Sequence, residues 1–276
     1  MKKQNLANRI FHTIWVTALG IIFVLPLLWM VSSSLKTGGE VFSPNFQWIP
    51  DKIQWVNYFR VWIDSDVPFW KLYCNSLWIA VIGTLGQVIV SSMAGYALGR
   101  IPFKGRNAVF LVILVTMMVP VQATLVPRFV LFEGIGLYNT HWALILPSLF
   151  NVTSIFLLRQ FFMGLPNELM EAAIIDGASY FQIWHTVMMP LTKPAMVTVC
   201  VLGFISSWND YLNALIFLPG QSKFTVSQGV RYWVDITDEY NIMMAAATSA
   251  IIPVVILYLF TQKYFVESIA TTGVKG

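Results

Sequence analysis

Six apolar runs, each about as long as a helix that crosses a lipid bilayer, constrain this chain more than any other feature of its sequence. A bilayer core about 30 Å thick is crossed by about 20 helical residues, and a helix satisfies its backbone polar groups internally. The runs are Phe11–Leu35, Asn75–Leu98, Asn107–Pro127, Tyr138–Phe161, Pro194–Pro219 and Asn241–Gln262. The sequence therefore predicts an all-α, polytopic membrane protein with six transmembrane helices.

The composition agrees with a chain whose surface largely faces lipid. Hydrophobic residues make up 57% of the 276 residues and charged residues 11%, whereas soluble domains are about a quarter charged. The formal charge of +4 comes from scattered basic residues, which fit a membrane topology better than a nucleic-acid surface. Because no internal repeat or domain-sized linker is evident, we expect one transmembrane domain over residues 1–276.

The orientation in the membrane follows from the basic residues near the ends of the runs. The first run follows Lys2, Lys3 and Arg9, but it is longer than a signal-peptide core and lacks a small-residue cleavage site, so we expect it to be retained. The short loop Gly99–Arg106 carries three basic residues in eight, and short loops mark the inner side most reliably. We therefore expect a multi-pass protein with both termini in the cytoplasm.

The segment between the fourth and fifth runs is rich in residues that begin and end helices. The helical run Asn167–Asp176 ends at Gly177, which can adopt the left-handed conformation of a helix C-terminal cap. Ser179 is a suitable N-cap for a second run, Tyr180–Met189, which we expect to stop at Pro190. The segment therefore reads as a helix, a glycine bend and a second helix on the cytoplasmic side.

A polar and aromatic cluster interrupts the fifth apolar run. Asp210 lies nine residues before Pro219, so a continuous helix would place its carboxylate well inside the membrane, at a cost of about 2.5–3.5 kcal/mol. Such a cluster can line a path for a polar solute, or it can hold helices together through buried hydrogen bonds. The other residues of this candidate substrate path are Trp208, Asn209, Tyr211, Asn213, Gln122 and Asn151.

The sequence offers no pattern for catalysis or for ATP binding. It has no GxxxxGK[ST] loop to hold phosphates. His12, His141 and His185 are too far apart in the sequence to suggest a metal site. Cys74 and Cys200 each lie at or inside an apolar run, which favours structural thiols. We therefore expect that the chain is not an enzyme and that it has no phosphate-binding loop of its own for ATP.

The cytoplasmic segment closely resembles the EAA signature of the permeases of binding-protein-dependent ABC importers. The signature is EAA, three residues, G, nine residues, I, one residue and LP, and its counterparts here are Glu171, Ala172, Ala173, Gly177, Val187, Met189 and Pro190. Valine replaces isoleucine and methionine replaces leucine, so both departures keep an apolar side chain. The stretches LPLLWMVSSSLK, NSL, GYALGR, SWND, QKYFVE and GVKG extend the resemblance to the maltose-permease-like, sugar-specific branch over essentially the whole chain.

This resemblance implies a set of contacts with an ATPase. The loop 162–192 would carry the coupling helix that docks on a cytoplasmic ATPase subunit, through Glu171, Ala172, Ala173, Asp176, Gly177 and Ala178. The tail 263–276 would reach between two ATPase subunits, with contacts by Val274, Lys275 and Gly276. ATP and Mg would be bound by those subunits, and no cofactor by this chain.

The same resemblance implies the other partners and the location. They are a second homologous permease subunit, two copies of the ATPase subunit, an extracytoplasmic sugar-binding protein, a sugar or oligosaccharide, and the lipid of a bacterial cytoplasmic (inner) membrane. In the maltose-type branch the partner permease can supply most substrate contacts.

Other classes of transporter and an enzyme remain as alternatives. An ABC permease for a polyol phosphate or a peptide would share the coupling motif. An ion-coupled secondary transporter needs paired ionisable groups inside the membrane, where the sequence offers only Asp210. A membrane enzyme needs a metal or nucleophile constellation near the interface, and none is evident.

Overall fold

The computed structural model describes residues 6–44, 47–63, 66–236 and 239–273, and every regular element in these ranges is helical. In chain order the α-helices are α1 (Leu6–Ser34), α2 (Gly38–Val41), α3 (Val56–Trp62), α4 (Phe69–Arg100), α5 (Arg106–Val115), α6 (Val121–Gly134), α7 (Trp142–Ser148), α8 (Val152–Met163), α9 (Asn167–Ile175), α10 (Tyr180–Ile183), α11 (Met189–Leu191), α12 (Lys193–Trp208), α13 (Tyr211–Phe217), α14 (Val226–Ile236) and α15 (Tyr240–Gly273). A π-helix, Trp184–Met188, joins α10 to α11, and 3-10 turns lie at Thr116–Met118 and Gln221–Lys223.

Four helical stretches are long and apolar enough to cross a membrane as they stand. They are Ile10–Ser34, Phe69–Arg100, Trp142–Met163 and Tyr240–Lys263. Two bent pairs raise the number to six if each pair is one span: α5 with α6, bent by 96°, and α10–α11 with α12, bent by 84°. The all-α polytopic class is thus confirmed. Three of the predicted spans are interrupted: the third between α5 and α6, the fourth between α7 and α8, and the fifth between α12 and α13.

The break in the third span lies at Val119 and Pro120, inside the run predicted to be a single helix. Val119 is extended, with ψ 118°, and Pro120 is the N-cap of α6 with ψ 130°. A proline disfavours the helical conformation of the residue before it and has no N–H to donate to the preceding turn. Pro127, where the run was expected to end, lies within α6 instead.

The fifth predicted span is also discontinuous, and its break corrects the expected position of Asp210. Helix α12 ends at Trp208 and α13 begins at Tyr211, so Asp210 is an N-cap residue rather than a mid-helix one. Its side chain accepts a hydrogen bond of 3.1 Å from the backbone N–H of Asn213. Aspartate favours N-caps because its carboxylate satisfies a free N–H of the first turn, and here that preference outweighs the apolar continuity of the run.

The chain divides into two compact units, and the first contains the described residues up to Trp70 together with Gly229–Ile252. Buried Asn57 organises this unit by donating to the carbonyls of Ser34 and Lys36 at 2.8 and 2.9 Å. It also accepts a hydrogen bond of 3.1 Å from Asn241. One amide side chain therefore connects the end of α1, α3 and the start of α15.

Helix α1, also in the first unit, keeps its apolar side chains exposed along most of its length. A helix that is apolar on all sides is expected where the surroundings are lipid or another membrane helix.

The second unit contains Lys71–Gln228 and the residues from Pro253 onward. Its core includes a close crossing of α4 and α8 at two glycines. A Cβ on Gly95 would lie 2.9 Å from the backbone N of Arg159, and one on Gly99 would lie 3.4 Å from the carbonyl O of Arg159. Glycines four residues apart are typical of tightly packed membrane helices. The crossing fixes α8, and with it the segment that follows α8.

Candidate functional site

The segment that carries the EAA-like residues folds as a compact helical hairpin, which we call the knob and define as residues 167–191. Glu171, Ala172 and Asp176 are exposed on it, whereas Ala173 and Ala178 are partly buried against the core of the second unit. Its first helix, α9, ends at Ile175, and Gly177 at the following bend has φ +81°. The knob therefore exposes four of its six predicted contact residues, whereas the other two contribute mainly to its own packing.

The bend at Gly177 is closed by two backbone hydrogen bonds of 3.0 Å. Gly177 N–H donates to Ile174 O, and Ala178 N–H donates to Ala173 O. This is the Schellman arrangement, in which a left-handed residue satisfies the free carbonyls at a helix end. No atom lies within 4 Å of the position that a Cβ on Gly177 would take, so its backbone conformation, and not a lack of space, calls for glycine.

The second half of the knob begins with the predicted capping box. Ser179 N–H donates to Gln182 Oε1 at 2.8 Å, and Gln182 N–H donates to Ser179 Oγ at 3.3 Å. The expected stop at Pro190 was wrong, because the helical path continues through the π-helix and Pro190 to Leu191. The wider π turn accommodates a proline whose ring would clash with a carbonyl in a regular α-helix.

The knob is held at its base by Arg100, the last residue of α4. Its Nε donates to the carbonyl of Phe162 at 2.7 Å. Its two terminal nitrogens donate to the Leu165 carbonyl and to the Asn167 side-chain carbonyl. One guanidinium thereby connects α4 to the end of α8 and to the first residue of the knob.

A second site is a cleft of about 270 Å³ within the second unit. Its wall combines polar side chains with the apolar surfaces of Phe150 and Pro147. The polar residues that line it are Gln87, Arg128, Ser148, Asn151, Ser206, Ser207, Asp210 and Asn213. These residues come from α4, α6, α7, the start of α8 and the broken α12–α13 pair, so the cleft lies where helices are interrupted.

Both charged residues that line the cleft belong to one hydrogen-bonded chain. Asn213 Nδ2 donates to the two carboxylate oxygens of Asp210 at 3.0 and 2.8 Å. Arg128 Nη2 donates to Asn213 Oδ1. The Arg128 guanidinium also lies 4.7 Å from the centre of the Phe217 ring. The acid and the base are thus linked through an amide that donates to one and accepts from the other.

The candidate path residues separate into two groups. Asp210, Asn213 and Asn151 line the cleft, and Asn151 also caps α8 by accepting from Ser154 N–H at 2.9 Å. Trp208 is buried, with its ring 5.4 Å from Tyr73 and 5.7 Å from Phe204. The candidates that are not among the lining residues are Trp208, Asn209, Tyr211 and Gln122.

Sequence reasoning missed Gln87, Arg128 and Ser148 as lining residues. Gln87 donates to Ser154 Oγ at 2.7 Å, and a Cβ on Gly203 would lie 2.8 Å from Gln87 Oε1. Arg128 directly follows Pro127, where the third apolar run was expected to end, and no sequence motif includes it.

The predicted tail contacts Val274, Lys275 and Gly276 lie outside the described residues. Within the ranges that the structure describes, no three His, Cys, Asp or Glu side chains are arranged to hold a metal ion.

Comparisons with known proteins identify the relatives of this chain. Residues 87–271 match the family described as binding-protein-dependent transport system inner membrane component. The arabinooligosaccharides transport system permease protein AraQ of Halalkalibacterium halodurans is 33% identical, over 95% of this chain and 96% of its own length. The diacetylchitobiose uptake system permease protein NgcG of Streptomyces coelicolor is 31% identical, over 91% of this chain and 83% of its own.

A solved structure shares the fold. It is a chain of a bacterial ABC transporter involved in the import of the acidic polysaccharide alginate, with a TM-score of 0.84 and 28% sequence identity. The match covers 96% of this chain and 100% of that one.

Proposed function

This chain belongs to the family of binding-protein-dependent transport system inner membrane components, and from that membership we propose that it is the subunit through which an ABC importer moves a sugar or an oligosaccharide. As a member of that family it is a multi-pass permease subunit of the inner membrane and not an enzyme. The observation that carries the choice of substrate is the near full-length match to an arabinooligosaccharide permease. The polar cleft supports it, because sugars bind through hydroxyl hydrogen bonds and apolar ring faces.

The knob is the part that would dock on the ATPase. Exposed Glu171 can pair with a basic residue of a partner, and exposed Ala172 allows close backbone approach. Asp176 and Gly177 form the exposed end of α9, whereas Ala173 and Ala178 hold the hairpin against its core. Closure of an ATPase dimer would then move the knob, and Arg100 and the glycine crossing would pass that movement to α4 and α8.

The proposed assembly contains this chain, a second homologous permease, two ATPase subunits that bind ATP and Mg, and an extracytoplasmic sugar-binding protein. The tail 263–276 would contact the ATPase subunits through Val274, Lys275 and Gly276. Both termini would lie in the cytoplasm, because that orientation places the knob and the basic loop Gly99–Arg106 on the ATPase side.

Purification of the tagged chain from its native membrane in mild detergent tests the assembly. We expect an ATPase subunit and a second permease to co-purify. After reconstitution into liposomes, ATP hydrolysis should rise when the sugar-loaded binding protein is added. Recovery of the chain without an ATPase would contradict the proposal and would favour an ion-coupled transporter, for which Asp210 would be the first residue to mutate.

A further inference from the structure

The charge of the cleft limits what can pass through it. Among the lining residues in the described part of the chain, Asp210 and Arg128 are the charged ones. Their formal charges cancel, and Asn213 connects them by hydrogen bonds to each. A charge inside a membrane protein is costly unless it is paired, so the pairing explains how both side chains can lie at an intramembrane cleft.

The pairing also engages one of the Arg128 N–H groups that an anionic ligand would need. A carboxylate or phosphate is recognised by the fork of an arginine, but one Arg128 terminal nitrogen donates to Asn213 and its guanidinium lies over Phe217. An anion that approached Arg128 would also meet the like charge of Asp210 a single side chain away. The geometry therefore disfavours an anionic ligand.

The rest of the wall suits a neutral carbohydrate. Ser148 Oγ donates to the Ile145 carbonyl at 2.8 Å, which leaves its oxygen lone pairs to accept from a hydroxyl. The Asp210 carboxylate adds further oxygen acceptors, and Arg128 supplies N–H groups beyond the one that donates to Asn213. Phe150 is 62% exposed and presents an aromatic face of the kind that packs on sugar rings.

We propose that the cleft is a transit site for an uncharged oligosaccharide and that the Asp210–Asn213–Arg128 chain excludes anionic sugars by neutralising its own charges. This inference rests on the proposed function as a sugar permease and adds the charge class of the substrate. It predicts a substrate of another charge class than the acidic polysaccharide that the alginate importer takes up.

The test measures ligand binding to the complete transporter in lipid nanodiscs without its binding protein, so that the selectivity of the binding protein does not contribute. Equilibrium binding of arabinotriose is compared with that of trigalacturonate, which is anionic. For the wild-type complex we expect arabinotriose to bind at least tenfold more tightly. In Asp210→Asn the cleft carries a net positive charge, so trigalacturonate should bind more tightly. We expect the ratio of the affinity for arabinotriose to that for trigalacturonate to fall at least tenfold.

Glu133→Gln is the matched control. Like Asp210→Asn, it removes one negative charge. The position lies on α6, the helix that carries Arg128, but it is exposed and does not line the cleft. We expect its preference to equal that of the wild type. A wild-type preference for trigalacturonate, an unchanged ratio in Asp210→Asn, or binding of neither sugar would overturn the inference.

A measurement of sugar uptake distinguishes failure of the inferred charge class from failure of the proposed function. A complex that hydrolyses ATP and imports a sugar with its binding protein, yet shows one of those three results, would refute only the charge class. A complex that assembles without an ATPase would refute the proposed function itself.

Discussion

Arg100 Nε donates a hydrogen bond of 2.7 Å to the carbonyl of Phe162 and thereby ties the end of α4 to the end of α8. The same guanidinium donates to the Leu165 carbonyl and to the side chain of Asn167. The knob begins at Asn167, so its base is attached to α4 by one side chain. Since α4 also carries Gln87 of the cleft, Arg100 lies on a direct path between the two candidate sites.

Replacement of Arg100 by glutamine should uncouple transport from ATP hydrolysis. The change removes three hydrogen bonds from a charged donor, each of which contributes about 1.5–3 kcal/mol in proteins. We expect uptake to fall at least tenfold while the complex assembles and its ATPase remains active. Arg100→Lys should be intermediate, because lysine keeps the charge but lacks the planar fork.

Lys104→Gln provides the control for Arg100, because it removes a positive charge from an exposed position in the same short loop, Gly99–Arg106. Uptake and ATP hydrolysis should be measured on the same preparations. Parallel loss of both activities in Arg100→Gln would mean that the side chain supports folding and not coupling.

Gly177 should tolerate asparagine and reject valine. Its φ of +81° lies in the left-handed region, which asparagine adopts readily and β-branched residues do not. Because no atom lies within 4 Å of the added Cβ, the penalty of about 1–2 kcal/mol is one of backbone conformation. We expect uptake near the wild-type level for Gly177→Asn and a severalfold loss for Gly177→Val.

Gly134→Ala is the matched control for Gly177, since the space around it is also open and its φ is not positive. Equal uptake by the asparagine and valine variants would show that the left-handed bend is not required for docking.

The bend and the N-terminal cap of the knob could be predicted from the sequence, because each depends on residues that are close together in the chain. The left-handed Gly177 and the capping box of Ser179 and Gln182 are of this kind. The continuation through Pro190 was not readable, because it depends on a π turn that buries Trp184 and Met188. That burial is decided by packing and not by the local preference of proline.

The cleft was only partly predictable for a related reason. Asp210 was recognised as a polar residue in an apolar run. The length of that run favoured a continuous helix, so the role of Asp210 as an N-cap that accepts from the Asn213 N–H was not predicted. Arg128 donates to Asn213 across 85 positions of sequence, and no local pattern connects the two residues. Tertiary contacts therefore determined the part of the site that sequence reasoning missed.

Gly95 should be the least replaceable glycine of the α4–α8 crossing. A Cβ there would lie 2.9 Å from a backbone nitrogen of α8, which cannot move without shifting the helix. We expect Gly95→Leu to reduce the yield of folded protein and to lower its Tm by several degrees, since overpacking costs about 1–3 kcal/mol.

Gly20→Leu in α1 makes the same change where no atom lies within 4 Å of the added Cβ, and it should leave the Tm within error of the wild type. Thermal unfolding of both variants in the same detergent provides the comparison. A stable Gly95→Leu protein would show that the two helices are not held at this distance.

The ion pair between Arg60 and Glu239, in the first unit, should give a small and pH-dependent stabilisation. Arg60 donates to Glu239 at 2.7 and 3.1 Å, and this hydrogen bonding lowers the pKa of the Glu239 carboxyl. A lowered pKa in the folded state stabilises the protein above the ordinary glutamate pKa of about 4.3, and the contribution is lost as the pH falls through the lowered value.

Because both side chains are largely exposed, the contribution should stay below about 1 kcal/mol and weaken in salt. Glu239→Gln should therefore unfold at a slightly lower temperature than the wild type at pH 7, and the difference should shrink as the pH falls below the ordinary glutamate pKa and through the lowered value. Glu40→Gln offers a control. Glu40 lies in the same unit, but its carboxylate accepts a hydrogen bond from the backbone N–H of Thr37, the N-cap of α2. If the difference between wild type and Glu239→Gln persisted undiminished in acid, the carboxylate charge would not be its source.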